Sequence, residues 1–356
     1  MSDSYYAYVG CRTTKERKAR GKGIRVYRVE RGVWKLLQIA EGQVNPSYLC
    51  LNKKQDRLYA IHGDFLEVSA YVVGEDGTLT YQNTTETYGT NPVYLTLDQT
   101  GKWLFVANLQ TGGVSVIPIE ADGSLGKIKE LKFISGNGGP GYISHPHQVC
   151  QDKSGKWLLV PSQGRLQGVG KITVFCIDSE AGDLKETFLV KGRSGSEPRH
   201  CVFHPNNQFC YCLNEKDSTV TCYYFDEKSG HLEPKQILTT LPEDFPGDGW
   251  ASAIEIGVDG RFLYLSNRKH DSVTVFGLDQ ETGRMTYLQN IKTRGEQPRF
   301  ITRNPDGTQL LAANELTDTI CLMDIDPKTG LLSYSGSEIQ AESPVCVIFK
   351  TNAESK

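Results

Sequence analysis

The chain has 356 residues, a length that suits two domains or one large repeat array. Its formal net charge of −3 argues against a nucleic-acid or membrane-surface partner, and no run of about twenty apolar residues is present to span a bilayer. The 36 glycines, 17 tyrosines and 13 phenylalanines favour short strands joined by tight turns over a helical bundle.

The first residues, MSDSYYAYVG, lack a basic stretch followed by an apolar one, so no secretion signal is expected. "YYAYVGC", "KGIRVYRVE" and "GVWKLLQIA" read as three strands. Between the first two lies the basic segment CRTTKERKARGKG (11–23), with Arg12, Lys15, Arg17, Lys18, Arg20 and Lys22 against one acid, Glu16. A solvated hairpin loop is the expectation there. If it folds over a binding site, it would help hold an anion.

From Pro46 onward one unit recurs. Its copies begin at Pro46, Pro92, Pro146, Pro198, Ala251, Pro298 and Pro344, spaced 46, 54, 52, 53, 47 and 46 residues apart. Each has an alternating first strand, a polar turn, an aromatic-rich second strand such as "KWLFVAN", and two further strands divided by a glycine-containing turn. Four short antiparallel strands in about fifty residues make a propeller blade. The last copy, "SPVCVIFK", holds only a first strand, and the three N-terminal strands supply the rest. The expectation is one all-β domain over residues 1–356: a seven-bladed β-propeller closed by its own N-terminus. The ten cysteines lie mostly in apolar runs and include no CxxC pair, which predicts buried free thiols in a reducing cytosol, with no metal or disulfide framework.

In each unit the residue after the anchor and those sixteen and seventeen after it meet at the open end of a hairpin. Repeated around a ring, they line one mouth of the channel. The first position reads Ser47, Val93, His147, Arg199, Ser252, Arg299 and Val345; the seventeenth reads Gly63, Leu109, Gln163, Glu215, Arg268 and Glu315. Framework positions repeat apolar residues, whereas these vary in charge from blade to blade. His147, Arg199, Glu215 and Arg268 are therefore candidate functional residues. Gln163, Asn214, Asn267, Gln297, Arg299 and Glu315 are candidate substrate contacts, although the repeated Asn also suits a loop-satisfying role. His204 is expected in a turn at the opposite end, and His200, by strand alternation, on the face towards blade packing.

These residues, with "SHPHQV", "EPRHCVFHP", "LNE", "SNR" and "EQPRF", resemble the seven-bladed lactonase family. That family includes bacterial propeller-type 6-phosphogluconolactonases and the fungal 3-carboxy-cis,cis-muconate cycloisomerase. The resemblance covers nearly the whole chain. It implies functional roles for the positions His147, Arg199, Glu215 and Arg268, matching a histidine, two arginines and a glutamate proposed for the cycloisomerase. The pattern is shared by lactonases and cycloisomerases, so it does not fix the reaction.

Opening a sugar lactone requires an activated water, cationic donors for the carbonyl oxygen and a proton for the departing ring oxygen. Arg199 and Arg268 suit the second task, Glu215 the first, and His147 the transfer of a proton near neutral pH. Three alternatives stand beside this one. A cycloisomerase would hold a muconate-like diacid with the same arginines. A metal-dependent lactonase would cage a cation between Glu215, Glu315, Asn214 and Asn267. A binding propeller would do no chemistry. No P-loop or dinucleotide fingerprint is present, so no cofactor is expected; the expected ligand is a small anionic lactone or carboxylate.

Overall fold

A computed structural model describes residues 4–351 apart from 137 and 140. Strands of like pattern take like places in seven sheets. The second strand of each sheet is buried along most of its length because neighbouring blades cover both of its faces: Trp157–Gln163 is buried at every residue. The fourth strand is an outer edge and alternates, as in Asp183–Lys191.

The first strands surround the axis. They are Pro46–Leu51, Pro92–Leu97, Pro198–Phe203, Ala251–Ile256, Pro298–Arg303 and Pro344–Thr351, with a broken one, His145–Pro146 and Cys150–Gln151, in blade three. In chain order they open blades one to seven. Blade seven pairs Pro344–Thr351 with Ser4–Cys11, followed by Ile24–Glu30 and Val33–Ala40, so the two ends of the chain share one sheet as expected. Blade three counts five strands only because its inner strand is interrupted at His147.

A separate apolar cluster fills each interface between adjacent blades. A repeated latch crosses those interfaces. Tyr211 Oη donates to the carbonyl of Gly283 at 2.9 Å, and Trp157 Nε1 to that of Glu227 at 2.7 Å. An aromatic ring on a second strand thus meets the outer turn of the next blade, its buried polar end satisfied. The turn must come close: Gly230 adopts φ +75° and lies on the ring of Trp157.

Among the described residues no helix is long and apolar enough to cross a membrane. All ten cysteines are free, and seven of them are buried.

Candidate active site

Two backbone features bring the mouth positions together. The residue before the anchor is left-handed in six blades: Asn45, Asn91, Glu197, Trp250, Gln297 and Ser343 have φ between +43° and +61°. Outside Asn such a conformation is strained. It aims a carbonyl at the seventeenth position: Glu197 accepts from the amide of Glu215 (2.8 Å), Trp250 from that of Arg268 (3.1 Å), and Gln297 from that of Glu315 (3.1 Å). The second feature is a bulge. Pairing skips a residue between Pro46 and Tyr48, Pro92 and Tyr94, Pro198 and His200, and Pro298 and Phe300. Two successive residues therefore face the channel, as Arg199 and His200 do.

Glu215 is the centre of the site. Its Oε1 lies 2.9 Å from an Nη of Arg268; its Oε2 lies 3.1 Å from Nε of Arg199 and accepts from Nε2 of Gln163 at 2.7 Å. His147 Nε2 stands 3.9 Å from the same oxygen. Blade three thus supplies His147 and Gln163, blade four Arg199 and Glu215, and blade five Arg268. Arg165 fixes the amide of Gln163 by donating to its Oε1 at 3.1 Å. Arg199 also donates to the carbonyl of Ser252 and Arg268 to that of Trp250, so both guanidinium planes are held from behind.

Burial alone would raise the pKa of Glu215, but Arg268 and Arg199 overcome it and hold the carboxyl at about 2. Two cations on one carboxylate leave an uncompensated positive charge at the mouth. His147 feels it. Burial first, then Arg199 and Arg299, drive the imidazole well below its ordinary range, so it is neutral at pH 7. Its Nδ1 is buried without a hydrogen-bond partner among the described residues.

A second charged group adjoins the first. Arg299 Nη1 stands 3.6 Å from Oε2 of Glu315, which accepts from Gln297 at 2.7 Å. Arg12 enters from the segment 11–23 and pairs with Asp64 at 3.0 Å, while Arg17 donates to both oxygens of Asp64. Arg20 ties the segment to Asp318 of blade six. Beneath lies an aromatic floor: the rings of Tyr48 and Tyr94 are 4.0 Å apart between centroids, Tyr48 and Phe300 5.7 Å, and Tyr94 and His200 5.3 Å.

The model of the family described as "Lactonase, 7-bladed beta-propeller" matches residues 6–349. The chain belongs to the seven-bladed β-propeller lactonase family. It is 29% identical to the 6-phosphogluconolactonase of Bacillus subtilis, over 97% of this chain and 98% of that protein. It is 32% identical to that of Pectobacterium atrosepticum, over 88% and 90% respectively. Among solved structures, a Bacteroides fragilis protein described as a candidate 6-phosphogluconolactonase superposes with a TM-score of 0.87 at 30% identity, covering 98% of both chains. A periplasmic gluconolactonase of Pseudomonas aeruginosa superposes with the same score at 26% identity, covering 98% of this chain and 99% of that one.

In this family member the mouth gathers His147, Arg199, Glu215, Arg268, Gln163, Gln297, Arg299 and Glu315. Asn214 and Asn267 are placed otherwise. The amide of Asn214 donates to Thr219 and Thr221 within its own blade. Asn267 donates to the carbonyl of Thr240 and accepts from the Thr240 hydroxyl, which consumes both ends of its side chain. Asn214 thus braces its own blade and Asn267 joins blade five to Thr240 of blade four, framework roles in place of the expected substrate contacts.

His200 is a second correction. It faces the channel, its ring 5.2 Å from that of His147, because the bulge cancels the simple alternation of the strand. His204 does occupy the turn, its Nε2 3.1 Å from the carbonyl of Gly260. Arg12 was missed as a site residue. Its signal was in the sequence as the basic segment, but which of six cations turns inward depends on a space in blade one. Both oxygens of Glu215 are engaged by cationic or amide donors, and the side chain of Asn267 is committed to Thr240.

Proposed function

We propose that the protein hydrolyses a sugar 1,5-lactone carrying an anionic group, with 6-phosphogluconolactone as the best candidate, and needs no metal ion. The supporting observation is the convergence of Arg199, Arg268, Gln163 and His147 on Glu215 at the channel mouth of a lactonase-family propeller. The names of the relatives in Bacillus and Pectobacterium point the same way.

In this reading Arg199 and Arg268 present fixed donors to the ester carbonyl, where negative charge grows as water adds. Glu215 has both oxygens engaged by Arg199, Arg268 and Gln163, so it has no free oxygen with which to take the proton from water. It orients the two guanidinium groups instead. His147 is neutral, and takes the water proton as the C–O bond forms. The imidazolium so produced returns that proton to the ring oxygen as the C1–O5 bond breaks, and the aldonic acid then releases its own proton to solvent. His147 thus acts as a relay: it begins as a base and donates only what it has just accepted. Gln163, Gln297, Arg299 and Glu315 offer contacts to sugar hydroxyls and to the distal anion. The ten free cysteines suit a reducing compartment, and we place the activity in the cytoplasm.

A pH-stat assay of purified protein with freshly made 6-phosphogluconolactone tests the reading. Acid release well above the spontaneous rate, undiminished by EDTA, is expected. Turnover of 3-carboxymuconate with none of the lactone would reassign the site to cycloisomerisation. Activity that chelation abolishes and a divalent cation restores would overturn the metal-free claim.

A further inference from the structure

Arg12 differs from the other cations of its segment. It leaves blade seven in a basic surface connection, yet its side chain is only 4% exposed and lines the channel beside Ser47 and Arg299. The room for it exists because blade one has Gly63 at the seventeenth position, where blade four has Glu215. A Cβ on Gly63 would stand 2.7 Å from Nη1 of Arg12 and 2.5 Å from Oγ of Ser47. Blade one thus omits a mouth side chain, and blade seven fills the space with a guanidinium group.

That group is incompletely satisfied. Its Nη1 pairs with Asp64, which is shared with Arg17, and its Nε is buried with no hydrogen-bond partner among the described residues. A buried donor without an acceptor is costly unless a ligand supplies one. The charges agree. Around the mouth the guanidinium groups of Arg12, Arg17, Arg199, Arg268 and Arg299 are paired, among the described residues, with three carboxylates, those of Asp64, Glu215 and Glu315. The surplus is two positive charges, the complement of a dianion. Burial and the nearby Arg299 both oppose the charge on Arg12, and lower its pKa to about 10. It remains a cation at neutral pH, set against another cation, and an anion between the two relieves both.

We infer that Arg12 and Arg299 form a subsite for a dianionic phosphoryl group at the same mouth as Arg199 and Arg268, which face the ester. A 6-phosphorylated 1,5-lactone carries its ester carbonyl and its phosphate at different ends of the ring, which calls for two cationic pairs at one mouth. The part played in turnover rests on the lactonase reading above; the anion site itself does not.

Arg12→Gln removes the charge, and Gly63→Ala displaces the guanidinium group without removing it. Each is assayed with 6-phosphogluconolactone and with unphosphorylated glucono-1,5-lactone, after circular dichroism and melting confirm folding. The expected result is a ten- to hundredfold fall in the ratio of kcat/KM for the phosphorylated lactone to that for the plain one, about the loss of one or two charge-assisted hydrogen bonds. Arg12→Lys should recover part of the ratio. In parallel, calorimetry measures the binding of inorganic phosphate, which should weaken about tenfold or more in Arg12→Gln. An unchanged ratio together with unchanged phosphate affinity overturns the subsite. If the wild-type protein opens neither lactone, the functional reading fails, and the phosphate measurement alone decides the subsite.

Discussion

Replacing Glu215 by Gln removes one charge and almost no volume. The amide also imitates the protonated acid, so the variant matches the wild type as it would be at a pH below the pKa of Glu215. In the folded protein Arg268 and Arg199 hold that pKa at about 2, against an ordinary 4.5. At 1.36 kcal/mol per pH unit the difference is worth about 3 kcal/mol of folding stability. Because the folded pKa is the lower one, this contribution is present above pH 4.5 and disappears as pH falls from 4.5 towards 2. A second route gives a similar size: removing one partner from a buried ion cluster costs about 3–5 kcal/mol, since the charges left behind stay desolvated. Urea unfolding of both proteins at several pH values measures the gap. The wild type should exceed Glu215→Gln by about 3 kcal/mol at pH 7, with the gap closing below pH 4.5. Other carboxylates titrate in the same range, Asp64 and Glu315 among them, but they are common to both proteins and cancel in the difference. A gap below about 1 kcal/mol at pH 7, or one that is the same at pH 7 and pH 3, would refute the account of Glu215 as the counter-ion of two arginines. The same variant should lose at least about a hundredfold in lactone turnover, because Arg199 and Arg268 lose the group that aligns them.

Since burial and arginines keep His147 neutral, kcat/KM should show no inflection near pH 6.5, its acid limb falling well below that value, and His147→Gln should cost about 10²-fold or more. An inflection near 6.5 in the wild type that vanishes in His147→Gln would show that the imidazole titrates normally. Gly230 and Gly101 both adopt φ +75°, but an added Cβ would meet the Trp157 ring at 2.7 Å in the first and nothing within 4 Å in the second. Gly101→Ala should cost only backbone strain, about 1 kcal/mol, and Gly230→Ala about 1–3 kcal/mol more; equal melting points would remove the latch from the account of blade packing.

The repeat made the ring legible, because seven copies in phase specify neighbours that no single copy could. It also located most of the mouth, since any residue one or seventeen after an anchor must reach the same end of a hairpin. What the pattern concealed was local departure from it. Strand alternation put His200 on the wrong face because a bulge after Pro198 adds a residue that the sequence does not mark. Asn214 and Asn267 share the mouth's register but point into the blade, where a row of threonine hydroxyls awaits them. Arg12 lies outside the repeat altogether, and its inward turn depends on the side chain that Gly63 lacks.

The same features explain why so polar a site is stable. Arg199, Glu215, Arg268, Arg299 and Glu315 each sit at the end of a hairpin whose strands pack largely between blades, so their positions are fixed by apolar packing well away from the charge. A left-handed residue before the anchor adds strain of about 1–2 kcal/mol per position outside Asn. In return, the carbonyls of Glu197 and Trp250 hold the backbones of Glu215 and Arg268 in place without using any side-chain atom of the site. Nearly all polar side-chain capacity at the mouth is thus left for a ligand or for the ion cluster. Donors held this way need little reorganisation when charge develops on a substrate oxygen, which is the condition under which fixed dipoles and cations stabilise a transition state most.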